Sequence, residues 1–178
     1  MPALRVEHRG CHVAAHCPAT PPDPCGGHET PKGPHLRPIK SLSPSEQQQI
    51  ARVWHAALQP ANGGESLVSE AALLQRLAGD LQAGHLAVVR QDDDIVAFVI
   101  CDLQQRWLRQ LFVLPSCQGR GHGTRLLATA MQAMPGGWLR TDADNLRAQA
   151  FYDGRGLTVR RRGPHPVSQA ATVEYGWP

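Results

Sequence analysis

The run Leu111-Phe112-Val113-Leu114-Pro115-Ser116-Cys117-Gln118-Gly119-Arg120-Gly121-His122-Gly123-Thr124-Arg125-Leu126-Leu127 constrains the fold more than any other part of this chain. An apolar stretch stops at Pro115, three alternate glycines follow, and apolar residues at helical spacing resume at Leu126. That order predicts a strand, a tight turn and a helix N-terminus. Backbone N–H groups converge at such a junction and the helix dipole adds about half a positive charge, which makes it an anion site. Glycines at 119, 121 and 123 let the backbone approach an anion and tolerate positive φ. A Walker loop needs Gly-Lys-Ser/Thr where this sequence has Gly123-Thr124-Arg125. A dinucleotide fingerprint starting at Gly119 needs glycine or alanine where Thr124 stands, and normally opens its domain. On the glycines alone, a turn that binds nothing stays open.

Periodicity lays out the rest as a mixed α/β order. Residues 36–40 read as a short strand, and Ser43 or Ser45 caps a helix reaching Leu58, with Ile50, Val53, Trp54 and Ala57 at helical spacing. Residues 61–66 are a loop and 69–83 a second helix carrying Leu73, Leu74, Leu77 and Leu81. Strands 85–90 and 95–103 form a hairpin about the acidic turn 91–94. Strand 107–114, helix 121–133, strand 138–141, helix 145–153 and strands 157–162 and 172–177 complete the chain.

The length, 178 residues, suits one domain with a proper core. Residues 1–34 differ in composition, because seven prolines (2, 18, 21, 22, 24, 31, 34) break every periodic element, so they are expected to be an irregular tail ahead of a domain over 35–178. Cys11, His12, His16, Cys17, Cys25 and His28 lie in that tail, but their spacing matches no common zinc motif and no metal is expected. Five cysteines, an odd count, argue for reduced thiols. No apolar run reaches the ~20 residues that cross a bilayer, and Glu7, His8, Arg9 and His12 interrupt the N-terminus, so a cytoplasmic protein without membrane contact is expected. A net charge of +3 with 5% aromatics gives no basic stripe for nucleic acid, and suits a cleft that attracts a phosphorylated cofactor.

With its strand end Val113-Leu114-Pro115 and its loop Gln118-Gly119-Arg120-Gly121-His122-Gly123, the chain resembles the GNAT superfamily of N-acetyltransferases. A second block, Asn145-Leu146-Arg147-Ala148-Gln149-Ala150-Phe151-Tyr152-Asp153-Gly154-Arg155-Gly156-Leu157, is similar to that family's Asn-x-x-Ala-x-x-Phe-Tyr-x-x-x-Gly-Phe, with Leu157 in place of the last Phe. The resemblance covers roughly residues 35–178 and is strongest over 108–157. It implies an α/β fold whose mixed, mostly antiparallel sheet is flanked by helices and splayed between strands 107–114 and 138–141.

The resemblance also implies a co-substrate, acetyl-CoA, and a direct transfer of its acetyl group to a primary amine of a small molecule or peptide. The pyrophosphate would rest on Gln118, Gly119, Arg120, Gly121, His122, Gly123 and Thr124. The pantetheine arm would pair with Phe112, Val113 and Leu114, and Asn145 would bond it while capping the next helix. Tyr152 would hydrogen-bond the departing thiolate, with a core tyrosine as the rival reading. Many relatives carry a glutamate near the position of Trp107, whereas this sequence has no carboxylate from 104 to 141. Asp102, a distant residue acting through water, or solvent alone are the bases left open. Cys117 and His122 are set aside as a nucleophilic pair because the family uses the backbone of that loop, and Arg160-Arg161-Arg162 reads as a solvated edge. The alternative is a non-catalytic acyl-CoA-binding or regulatory domain, and a homodimer is among the assemblies left open.

Overall fold

Ser43 starts the first helix, α1 (Pro44–Leu58), through a capping box: its hydroxyl accepts the Glu46 N–H while Glu46 accepts the Ser43 N–H. Pro44 occupies the first helical position, where its missing donor does no harm. The computed structural model describes residues 34–59, 68–80 and 84–178. The readings made for residues 1–33, the loop 61–66 and the end of the second helix at 81–83 lie outside the described residues. No described helix is long and apolar enough to cross a membrane.

The strands are β1 (Arg37–Pro38), β2 (His85–Gln91), β3 (Asp94–Asp102), β4 (Trp107–Val113), β5 (Trp138–Asp142), β6 (Thr158–Pro164) and β7 (Ala171–Gly176). With them come α2 (Glu70–Asp80), α3 (His122–Ala133) and α4 (Leu146–Asp153). One seven-stranded sheet runs in the order β1-β2-β3-β4-β5-β7-β6. Every neighbouring pair is antiparallel except β4 and β5. The first strand is shorter than the expected 36–40. Pro38 has no N–H to continue a ladder, and Ile39–Ser41 turn into a 3-10 helix whose Ile39 N–H bonds the Gly84 carbonyl.

Alternation on the strands divides the core between the two faces of the sheet. Leu108, Leu111, Val113 and Leu139 pack against Leu126, Leu127 and Ala130 of α3 and Ala148 and Tyr152 of α4. On the other face Phe98, Ile100 and Phe112 meet Ile50, Val53 and Trp54 of α1 and Leu73 and Leu77 of α2. Trp54 lies 5.9 Å from Phe98 and 5.5 Å from Phe112, centroid to centroid.

Glu46 ties α1 to the sheet edge, since Arg37 and Arg90 both donate to its Oε1. Burial pushes the Glu46 carboxyl up, but the Ser43 N–H, the Arg37 hydrogen bond and the charges of Arg37 and Arg90 outweigh it, and the net displacement is below the ordinary 4.5. A depressed folded-state value means stability that is present above that pH and lost as the carboxylate protonates in the fold. Glu46→Gln should therefore lower stability by about 1 kcal/mol at pH 7. Urea melts of both proteins should converge as the pH falls to about 3, below the glutamate range.

Candidate functional site

The first two residue pairs of β4 and β5 are Trp107↔Trp138 and Leu108↔Leu139, and the pairing ends there. β4 itself runs on to Val113, beyond the last residue pair it makes with β5. This is the splay expected between strands 107–114 and 138–141. The irregularity in the β3–β4 register falls at the same level, where Ile100 faces Gln110 and Cys101 faces Leu108. An irregularity of this kind bends the strand that carries it.

Past Val113 the chain stays extended at Leu114 and turns through the 3-10 helix Pro115–Cys117. Gly119 and Gly121 then have φ of +76° and +83°, with open space where a Cβ would stand. Conformation, not crowding, is what asks for glycine at both. Gly121 is the N-cap of α3 and makes no side-chain cap, in contrast to Ser43 of α1 and Asn145 of α4. The first bond within α3 is Arg125 N–H to the Gly121 carbonyl. The amides of His122, Gly123 and Thr124 thus precede the helical ladder, at the positive end of a 12-residue dipole.

Gly123 differs. A Cβ there would meet the Phe151 ring at 3.4 Å and Val113 at 3.6 Å, ordinary contact distances, and its φ is not positive, so α3 packs on α4 and β4 here without requiring glycine. Gln118 does not point its amide outward: Nε2 donates to the Val113 carbonyl at 3.0 Å and fastens the loop to the strand. Phe112 turns its ring into the α1 face, leaving its backbone to the cleft. Val113 lies in the opposite core cluster and Leu114 is half-buried.

Asn145 caps α4, with Oδ1 accepting the Ala148 N–H at 3.0 Å. Tyr152 on that helix is fully buried, 5.3 Å from the Phe151 ring and 5.5 Å from that of Tyr175. It shares its core cluster with Leu108, Leu111 and Val113 of the splayed strand, so it packs against the back of β4. Burial pushes the Tyr175 phenol up to about 12, with Asp153 adding to the shift. Tyr175 therefore stays a neutral phenol at neutral pH.

Several features of the site carried no motif. Arg155 donates to the Thr124 hydroxyl from Nε at 3.0 Å and Nη2 at 2.6 Å, and lies 3.8 Å over Phe151, adding positive charge beside the glycine loop. Trp107 and Trp138 stack with centroids 5.2 Å apart and planes 4° from parallel, closing the apex of the splay. Arg109 and Arg140 lie over those two rings at 4.9 and 5.4 Å, and Arg140 also donates twice to Glu174. Asp102, opposite Trp107, is buried and accepts the Gln105 N–H. Gln110 is only 5% exposed, and its Oε1 has no partner among the described residues. Of the arginine run, Arg160 reaches the Gly136 and Trp177 carbonyls and Arg162 reaches Gln149, on the edge strand β6.

Residues 51–157 match the model of the Acetyltransferase (GNAT) family. A GCN5-related N-acetyltransferase from Rhodopseudomonas palustris aligns at 22% identity over 84% of this chain and 98% of that one, with a TM-score of 0.58. The ribosomal-protein-S18-alanine N-acetyltransferase of Escherichia coli aligns at 18% identity over 82% and 93%, at 0.59. Likeness at these identities establishes the fold. An alignment to a Bacillus anthracis structure in complex with acetyl coenzyme A spans 53% of this chain but only 62% of that one, at 20% identity and 0.48, and carries no argument. No curated protein matches the chain significantly.

Proposed function

The chain belongs to the acetyltransferase (GNAT) family, and on that premise we propose that it moves the acetyl group of acetyl-CoA directly to a primary amine of a small molecule or peptide. The observation that carries this reading is the N-terminus of α3, which has no side-chain cap, is entered through two left-handed glycines and follows the strand β4 whose pairing with β5 stops after two residue pairs. The amides of residues 122–124 and the loop backbone of 118–121 suit a diphosphate. Arg120 stands exposed on the same loop and Arg155 is anchored at Thr124, so cationic side chains flank it. The edge of β4 over 109–113 can take the amide-bearing arm as a strand takes a neighbour. Asn145 keeps its cap and stands at the β5 side of the opening.

When bound, acetyl-CoA supplies an acetyl group activated as a thioester. The chain's task is to align that group and favour charge leaving with sulfur. The Tyr152 hydroxyl is the donor on the α4 side. A phenol is a weaker acid than a thiol, so full proton transfer is uphill and the role is a hydrogen bond that strengthens as charge grows. The acceptor must arrive neutral, and a lysine-like amine is deprotonated only about one part in two thousand at pH 7. The alternative, acyl-CoA binding without transfer, draws on the lack of any carboxylate along β4.

Acetyl-CoA should raise thermal stability, by about 2.7 kcal/mol at 100 times its dissociation constant. A melting curve unmoved by millimolar acetyl-CoA would remove the co-substrate, and either reading with it.

A further inference from the structure

We infer that the part of the sheet left bare by α1 and α2 docks an acidic polypeptide segment, whose carboxylates meet Arg160 and Arg161 on β6 while its amino terminus enters the cleft. This rests on the transfer reading above and narrows its acceptor to a peptide that is acidic a few residues behind the amine.

The apolar cluster under α1 and α2 draws on β2, β3 and β4 and takes no residue from β5, β6 or β7. Leu139 of β5 and Val173 and Tyr175 of β7 belong to the opposite cluster. Alternation therefore turns Trp138, Arg140, Thr172 and Glu174 to the α1 side. Arg161 pairs in register with Glu174 and shares that face. The irregularity between Val159 and Arg161 brings Arg160 there too, since its guanidinium lies over Gly176, where an added Cβ would collide with it.

Charge on this face is unbalanced. Arg140 holds Glu174 through two hydrogen bonds. Arg160 donates to the Gly136 and Trp177 carbonyls, not to a carboxylate. Arg161 is exposed and forms no ion pair among the described residues. Of the neighbouring carboxylates, Asp102 is buried, and Asp142 pairs with Thr172 at the opposite end of β7 from Gly176. The β6 end of the face thus offers two accessible guanidinium groups to an anion.

Guanidinium groups bind carboxylates and phosphates alike. The tryptophans decide between a peptide and a nucleic acid. Trp107 and Trp138 stack on each other, and each also carries an arginine over its ring, Arg109 or Arg140. Single-stranded nucleic acid needs open aromatic faces for its bases, whereas an extended acidic peptide needs none. Three strand spacings of about 4.8 Å separate β4 from β6, or ~14 Å in all. A chain rising about 3.3 Å per residue covers that in roughly four residues, so the acidic positions are roughly the fourth and fifth of the acceptor.

The test gives the full chain two alanine-initiated heptapeptides, one with glutamate at its fourth and fifth positions and one with arginine there, glycine elsewhere. At low salt the acidic peptide should have the higher kcat/KM by about tenfold or more, and the gap should close at about 0.5 M salt, where screening sets in within ~5 Å. Arg161→Glu should cut kcat/KM for the acidic peptide about tenfold, and Arg161→Lys should largely restore it, with acetyl-CoA affinity by calorimetry the same in both. Equal kcat/KM for the two peptides in the wild type overturns the inference while leaving acetyl transfer intact, and needs no variant to fold. A wild-type preference in Arg161→Glu overturns the assignment to β6. An oligouridylate of matched charge that binds more tightly than the acidic peptide, both read by fluorescence anisotropy, overturns it in favour of nucleic acid. Wild-type protein that binds acetyl-CoA and acetylates no amine overturns the transfer reading itself, and this inference with it.

Discussion

Tyr152→Phe should reduce the acetyl-transfer rate by about 10²–10³-fold, roughly 3–4 kcal/mol of barrier, with acetyl-CoA affinity unchanged. The ring is fully buried between Phe151 and Tyr175 and against the core side of β4. Removing one oxygen leaves that packing in place. What disappears is a donor to charge that builds on sulfur during reaction and is absent from the bound thioester, and such an interaction shows in rate rather than in ground-state binding. Tyr175→Phe is the control. Its phenol, held at about 12, keeps its proton below that pH and so provides neither a base nor a titrating step in the working range. Its loss should alter the rate less than tenfold. Stopped-flow thiol release together with calorimetry separates the outcomes. Equal rates for Tyr152→Phe and wild type would make Tyr152 a packing residue only.

Gly121→Asp should weaken acetyl-CoA binding about 100-fold while the protein stays folded. The N-cap position has φ +83° and open space for a Cβ, so the change strains the backbone without a collision. That strain costs about 1 kcal/mol, and aspartate tolerates the left-handed region better than most residues. A carboxylate ~5 Å from a doubly charged diphosphate repels it by about 2 kcal/mol even with water-like screening. Neutralising the helix end removes up to ~1 kcal/mol more. Gly121→Ala shares the strain and lacks the charge, so its affinity should stay within about tenfold of wild type. Equal losses in both variants would show that conformation, and not anion binding, governs this loop.

The fold was legible because most elements announce themselves locally. Leu126, Leu127 and Ala130 repeat at helical spacing and all face the core of α3. The splay between β4 and β5 came from family resemblance, and no periodicity in Trp107–Val113 encodes where their pairing stops. Pro38 ended β1 earlier than alternation alone suggested, because a missing N–H outweighs hydrophobic pattern. The glycine loop and Asn145 were readable because their tasks belong to the backbone and to a helix end, where neighbours in sequence are neighbours in space. Arg155 on Thr124 and the Trp107–Trp138 stack join residues from different elements. Gln118 reads as a ligand of the loop, yet its amide holds Val113, a choice made by a turn whose geometry only the folded chain defines.

The most direct test of acetyl transfer is thiol release from acetyl-CoA by the purified protein, with each of a panel of amines (spermidine, an aminoglycoside, an alanine-initiated peptide and free amino acids) and with none. Release that saturates with at least one amine, and falls about 10²-fold or more in Tyr152→Phe, is the predicted result. Release no faster with any amine than without, from protein whose melting temperature acetyl-CoA raises, would contradict transfer and leave a domain that only binds the acyl donor.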